Sequence, residues 1–330
     1  MSFITKNIRL IAIFVFVAVL IATFFFAYGG NKHKQTVFVF DTVADIILYG
    51  KNAEFAADEI SFVLPYLENT YSKHKSSDVS VFNSLSSGQT MTVSDEMAKL
   101  IERCLDFSKA TDGAFDITTS ALSDLWDVKN STTPPRETEI LSALEKTGYD
   151  KLLLDKNTLT KTDVSMDFGG VLKGFAADKV REIAKNCGVK SGIVNLGGNV
   201  CLIGSKKGKP WTVGIVNPFS PGEVYLTIDA QDTNIITSGA YQRYFEYDGQ
   251  IYHHILSPKT GYPAESDIAS ATVISKDGTL ADALSTAIFV LGSKKGIDIA
   301  TEFGVDVVLI KKDGSVIATD KVNYKLNGPS

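Results

Sequence analysis

Between residues 192 and 275 the chain is a succession of short β-type runs, at 192–195, 200–203, 211–216, 223–229, 234–237, 241–247, 251–256 and 269–275. Gaps this short join strands as hairpins, because parallel neighbours need a crossover of about a dozen residues or more. Helical patterns bracket the block. One runs from about 172 to 187 and stops at Gly188, a second covers 279–291 and a third 294–303. Upstream, 37–49 reads as a strand pair or a bulged strand. Residues 53–69 repeat apolar positions at helical spacing, and 94–110 form a helix with Ser94 as N-cap and acids in its first turn. A short helix at 136–146 follows the Pro134-Pro135 break, and a hairpin turning at Asp313-Gly314 closes the chain. Helices mixed with hairpin-connected strands indicate an α+β fold rather than a regular doubly wound sheet.

Composition narrows the function. The 330 residues carry 33 Lys+Arg against 38 Asp+Glu, a net charge of −5, with 44% hydrophobic and 22% charged residues. That is an ordinary globular balance, neither disordered nor collagen-like nor many-spanning. With no block of basic residues, the chain is not expected to bind nucleic acid. Cys104, Cys187 and Cys201 are widely spaced, form no CxxC, and read as small buried hydrophobes rather than disulfides or a zinc site.

Residues 10–28 (LIAIFVFVAVLIATFFFAY) contain no charge, and as a helix they approach the ~30 Å hydrocarbon core of a bilayer. Lys6 and Arg9 precede them, so the positive-inside rule keeps the N-terminus cytoplasmic and exports the rest. Ala27-Tyr28-Gly29 also allows a cleaved signal peptide. No Cys closely follows the run to be acylated. The expected organisation is a signal anchor or signal peptide at 1–29, a polar tether at 30–36 and a catalytic domain at 37–330. The protein is then a single-pass cell-membrane protein with its domain on the extracytoplasmic side.

Four constellations carry chemistry. Residues 111–118 (TDGAFDIT) place two acids around a glycine turn, which also suits a helix C-terminus with solvated acids. Residues 166–174 (MDFGGVLKG) run from a β-like stretch through a glycine turn into a helix, a shape that attracts anions and offers Lys173 to phosphate. It is neither a P-loop nor a GxGxxG fingerprint. Residues 195–199 (NLGGN) form a second glycine turn. In 237–245 and 252–263 (TSGAYQRYF, YHHILSPKTGYP), His253 and His254 point to opposite faces of a strand, so only one can line a given pocket. Asp282 and Thr286 are i and i+4 on a helix, hard oxygen donors suited to Mg²⁺. The alternative is an Asp serving the helix dipole and a Thr bonding back to its own helix.

Taken in this order, the segments resemble the ApbE-type family of FAD:protein FMN transferases, formerly described as thiamine-biosynthesis lipoproteins, over residues 40–317. The resemblance implies a single domain of two intertwined α/β lobes with mixed, largely antiparallel sheets. It also implies a Mg²⁺-dependent enzyme with FAD as substrate, which passes FMN to a Thr or Ser hydroxyl of an exported flavoprotein and releases AMP. By motif, Asp282 and Thr286 would hold Mg²⁺ with the Gly170 carbonyl. Ala114, Phe115, Asp116, Asp167 and Lys173 would contact FAD, with Tyr241, Arg243 and His254 along the nucleotide and pyrophosphate. His254 is the candidate proton acceptor. Thr42, and Ser77 with Asn83, match two N-terminal elements, and either Tyr71 or His74 faces the flavin. The chain departs from the family pattern at Ser257, usually aspartate, at Asp41, usually glycine, and at Phe40, usually methionine.

Other readings are a FAD pyrophosphatase giving FMN and AMP, a non-catalytic flavin-binding protein outside the membrane, and a solute-binding module. Residues 267–272 (DIASAT) are similar to a flavin acceptor sequence, but they alternate as a buried strand and lack its glycine.

Overall fold

The computed structural model describes residues 32–327. The apolar run 10–28 and its expected membrane role lie outside the described residues. Among the described residues no helix is long and apolar enough to cross a membrane. Strands β1 (Lys32–Val39) and β2 (Thr42–Tyr49) form a hairpin whose turn residues, Phe40 and Asp41, have φ of 55° and 56°. This left-handed pair matches strand twist in two-residue hairpins and usually falls to Asn or Gly. From Lys32 onward the stretch expected as a tether is therefore half of a hairpin. On an edge strand the alternate side chains face water, so a run of Lys, His and Gln leaves the backbone ladder intact.

Helix α1 (Ala53–Tyr71) continues through Pro65. Next come α2 (Asp78–Ser84), β3 (Thr90–Thr92) and α3 (Asp95–Ala110), whose cap is Ser94 Oγ accepting from Met97 N at 3.2 Å. Helices α4 (Ser120–Trp126) and α5 (Glu137–Glu145) precede β4 (Leu153–Asp155) and β5 (Thr158–Thr160). Helix α6 (Leu172–Asn186) leads into β6 (Ser191–Leu196), β7 (Asn199–Gly204), β8 (Trp211–Val216), β9 (Val224–Ala230) and β10 (Asn234–Gly239). The expected strand at 241–247 begins instead with a 3-10 turn, Ala240–Gln242, before β11 (Tyr244–Tyr247) pairs with β12 (Gln250–His253). Strand β13 (Ile268–Ser275), α7 (Gly278–Leu291), α8 (Ser293–Glu302), β14 (Asp306–Lys311), β15 (Val316–Ala318) and β16 (Tyr324–Leu326) complete the chain.

One eight-stranded sheet, in the order β1-β2-β6-β7-β10-β13-β14-β15, is antiparallel at every neighbouring pair. The mixed α+β class and the antiparallel pairing are as the sequence indicates. Strand alternation sorts the core into layers. Ile46, Leu48, Val194 and Leu196 pack with α1, α3 and α6, and Ala271, Val273, Val307 and Leu309 with α7 and α8. On the other face Val200, Leu202, Val308 and Ile310 meet Val213, Ile215, Leu226 and Ile228 of the small sheet β16-β9-β8. Thr272, in the acceptor-like stretch, is fully buried on β13 and pairs its hydroxyl with Thr237 at 2.8 Å, so it is part of the fold.

Candidate functional site

The site forms where α6 meets α7. A methyl placed at Gly174 would lie 2.6 Å from Asp282 Cβ and 2.7 Å from the Gly278 carbonyl carbon, so only glycine lets the two helices approach this closely. Asp178 fixes the crossing: its carboxylate accepts from Gly278 N (2.6 Å), Thr279 N (2.8 Å) and Thr279 Oγ1 (2.6 Å), capping α7 from the neighbouring helix. Asp282 is 4% exposed. Its Oδ2 accepts from Gly174 N at 2.7 Å and its Oδ1 from Asn199 Nδ2 at 3.2 Å, and no described cation pairs with it. Burial raises its carboxyl above the ordinary value, against the opposing charge of Lys173.

Thr286, one turn on, faces the glycine bend: a methyl at Gly170 would stand 3.6 Å from its Oγ1 and 3.5 Å from the Phe115 ring. Ser285, not Thr286, bonds back to the Asp282 carbonyl (2.9 Å), and Thr286 Oγ1 lies 3.4 Å from Ser238 Oγ on β10. This disposes of the helix-internal reading of the pair. A buried carboxylate without a counter-ion, a hydroxyl and a close backbone bend fit a hard divalent cation.

The 111–118 segment is tied to the bend by main chain, since Asp167 N donates to the Ile117 carbonyl at 2.7 Å. Ala114 and Phe115 are buried there. Asp116 is not a solvated acid: Oδ1 accepts from Thr118 N and Oγ1 (both 2.7 Å) and Oδ2 from Tyr149 N (2.9 Å). Burial raises its carboxyl, with Thr118 and Tyr149 opposing. Its carboxylate holds its own loop, and Ala114 N and Phe115 N bond to Thr111 (3.0 and 3.2 Å), which leaves the Ala114 and Phe115 carbonyls to meet a ligand. Asp112 is exposed and ion-paired with Lys259.

Asp167 accepts from Ser123 Oγ (2.7 Å) and Gly169 N (2.8 Å), and Lys73 Nζ lies 3.0 Å away. Burial alone would raise its carboxyl, but Lys73 and these donors hold it below the ordinary range. Lys73, 8% exposed, also pairs with Asp124 at 2.7 Å. A cavity of about 310 Å³ opens beside this cluster, lined by Lys73, His74, Asn83 and Ser120 among others. Tyr71 is 1% exposed and sits edge-on to Phe168 and Phe175, so His74, not Tyr71, faces this cavity. Ser77 caps α2 and Asn83 bridges to Met166 through both backbone groups, while Thr42 packs against Gly197.

Tyr241 and Arg243 leave the end of β10, where Ser238 joins Ser285 at 2.8 Å. His254 donates its backbone N–H to the Arg243 carbonyl (3.1 Å), and Nδ1 lies 3.2 Å from the same oxygen. A carbonyl only accepts, so Nδ1 carries the hydrogen and Nε2 keeps its lone pair. Burial, then Lys173 and Arg243, push His254 down to about 3. Lys173 makes no ion pair among the described residues, and its charge opposes the burial of Asp282 and adds to the lowering of His254. His253 points the other way: Nε2 is 3.2 Å from the Ala264 carbonyl, its ring is edge-on to Phe289, and it lines a separate cleft of about 730 Å³.

Sequence reasoning missed Asn199, Gly174 and Lys73 as supports of Asp282 and Asp167. The NLGGN and GGVLKG turns contained the first two, but nothing in their spacing named the carboxylate they hold.

Comparison with known proteins assigns the family. A family model described as the ApbE family matches residues 40–309. The protein of Treponema pallidum named FAD:protein FMN transferase is 30% identical over 315 residues, covering 88% of this chain and 87% of its own. The crystal structure of the ApbE protein of Thermotoga maritima superposes with a TM-score of 0.82 at 33% identity, covering 88% and 97%. That of the Pseudomonas stutzeri flavinyl transferase ApbE superposes at 0.77 and 30%, covering 88% and 94%. The helix crossing that buries Asp282 and the glycine bend beside Thr286 thus lie within the matched span, and the chain belongs to the ApbE family.

Proposed function

We propose that this protein is a flavin transferase that moves FMN from FAD to a Thr or Ser hydroxyl of an exported flavoprotein, releasing AMP, with Mg²⁺ at Asp282, Thr286 and the Gly170 carbonyl. The observation that carries this reading is the buried, unpaired Asp282 carboxylate at the α6–α7 crossing, with the Thr286 hydroxyl one turn on against the Gly170 bend. The names of the relatives support flavin transfer.

The acceptor hydroxyl forms a bond to the FMN phosphorus, the bond from that phosphorus to the bridging oxygen breaks, and AMP leaves with that oxygen. His254 Nε2 takes the hydroxyl proton, and the Arg243 carbonyl keeps the ring in the required tautomer. Lys173 and Arg243 offset the charge that moves onto AMP. A bound Mg²⁺ supplies further charge neutralisation at the pyrophosphate. The Ala114 and Phe115 carbonyls and the N-terminal end of α6, with Lys173, orient the dinucleotide, which is most of what phosphoryl-type transfer needs.

Residues 10–28 would anchor the enzyme in the cell membrane with this site outside, where exported flavoproteins and FAD meet it. The test is AMP release from FAD and Mg²⁺, run with and without an acceptor domain. Acceptor-dependent AMP with a covalently fluorescent acceptor band is expected, and Asp282→Ala should abolish both. Acceptor-free turnover exceeding transfer would mean a pyrophosphatase, and tight FAD retention without AMP a binding protein.

A further inference from the structure

We propose that the end of the main sheet opposite the candidate site is a docking surface for an anionic phospholipid bilayer. Strand register identifies that end. Lys32 pairs with Tyr49, Tyr49 with Ser191, and Ser191 with Gly204, so these four residues form one row across β1, β2, β6 and β7. Lys32 and Lys34 begin the first strand, Lys51 follows the second and Lys190 precedes the third. The turn after β7 adds Lys206, Lys207 and Lys209, closed by backbone bonds between Lys206 and Lys209 (2.8 and 3.1 Å). Lys185, at the end of α6, joins them because Asn52 Nδ2 donates to the Cys187 carbonyl at 2.8 Å.

All of these lysines are exposed, and none makes an ion pair with a described residue. Glu54, Asp58 and Glu59 on α1 are the acids of its first turns, three against eight lysines, and Asp232 is taken by Arg181 at 2.9 Å. The surplus is positive on a chain whose net charge is −5. Phe55, 60% exposed, adds an aromatic ring on the first turn of α1. The lysines come from five separate stretches, which is why no basic block is visible in the sequence.

Two facts select a bilayer as the occupant. The charge-free run ends at Tyr28, four residue steps from Lys32, so Lys32, at one edge of the lysine row, lies within about 14 Å of it. That distance reaches no further than the lipid headgroups and the water just above them. The inference rests on the proposed anchor. At the far ends of β6 and β7, Asn199 holds Asp282, roughly 17 Å away at five residues of about 3.3 Å. Docking by the lysine end therefore turns the site away from the membrane, toward a protein acceptor. Each lysine near an anionic surface contributes about fivefold in partitioning.

The test uses the full chain in vesicles of phosphatidylcholine, with and without phosphatidylglycerol. The chain carries Cys187→Ser and one new thiol, Lys207→Cys at the lysine end or Ser315→Cys in the β14–β15 turn at the other end. Labelling by a membrane-impermeant maleimide at 207 is expected to slow at least fivefold on anionic vesicles and to recover at 1 M salt, where the screening length is about 3 Å. Labelling at 315 should not change. Adding Lys190→Glu, Lys206→Glu and Lys209→Glu should remove the protection without altering AMP release. Equal labelling at 207 on neutral and anionic vesicles, or equal protection by duplex DNA, overturns the proposal. Flotation with neutral vesicles reports the apolar run and AMP release reports the chemistry, so failure of either is distinguishable from failure of the docking surface.

Discussion

Gly174→Ala isolates the contact on which the site depends. The new methyl would meet Asp282 Cβ at 2.6 Å and the Gly278 carbonyl carbon at 2.7 Å, with the Gly278 oxygen closer still. Carbon atoms settle at about 3.5–4.0 Å, so α6 and α7 must part by about 1 Å. Overpacking of this kind costs about 1–3 kcal/mol. Parting the helices also stretches the Gly174 N–H bond to Asp282 Oδ2, now 2.7 Å, and a bond to a charged group is worth about 1.5–3 kcal/mol. The expected loss is about 2.5–6 kcal/mol, against the about 5–15 kcal/mol that holds a typical protein folded. Gly170→Ala, in the same motif, is the internal control. Its methyl would meet Phe115 and Thr286 at 3.5 and 3.6 Å, ordinary contact distances, and its backbone carbonyl is retained. Urea unfolding followed by fluorescence of the buried Trp126 and Trp211 reads both variants. Gly174→Ala should shift the midpoint far down and lose AMP release, while Gly170→Ala stays within about 1 kcal/mol of the parent. Equal midpoints for Gly174→Ala and the parent would refute the close crossing.

Other outcomes follow from single side chains. His254→Ala should lower acceptor-dependent AMP release by about 10²–10⁴-fold with little change in the urea midpoint. Because His254 is neutral down to about 3, the acid limb of kcat/KM should show no inflection at the ordinary histidine value of 6.5. His253 is held neutral by burial to about 4 and His254 to about 3, so between pH 6.5 and 4 the unfolded chain binds the extra protons; stability should then fall as pH drops, by up to about 1.4 kcal/mol per unit for each ring, and His253→Gln should remove its half of that slope. Lys73→Met leaves Asp167 buried without its cation, an expected loss of about 3–5 kcal/mol that Asp167→Asn should partly restore in a double-mutant cycle. Asp41→Gly relieves a left-handed residue at the cost of one exposed pair with Lys129, and should stabilise by about 0.5–1 kcal/mol in the same urea assay.

Which of these residues the sequence could name follows from how local their interactions are. Amphipathic periods extend over whole helices, so α1, α3, α6, α7 and α8 were legible to within a residue or two. Helices α2 and α4 have seven residues and β3, β4 and β5 three each, too short for a period to emerge; α2 is held by its Ser77 cap and the Asn83 bonds to Met166, and β3 and β4 by pairing with β5. Lys32 to Thr36 looked like a linker because edge-strand side chains are polar, while the pairing that orders them is made by the backbone.

The site divides along the same line. Asp282 and Thr286 announce themselves as i and i+4 on one helix, a local relation. What makes that carboxylate usable is non-local: Gly174 stands 108 residues away and Asn199 83, and both reach it through main-chain proximity set by the sheet order. Spacing cannot encode such a relation, which is why the resemblance to a family carried the assignment. The same reasoning separates Asp116 from Asp282. Both are buried acids beside the glycine bend, but Asp116 has every oxygen engaged by its own loop and the nearby Tyr149 backbone. Asp282 has the Thr286 hydroxyl one turn on and no described cation paired with it. A carboxylate already satisfied by its loop is fixed in place, and one left short of a positive partner is the place where a cation is held.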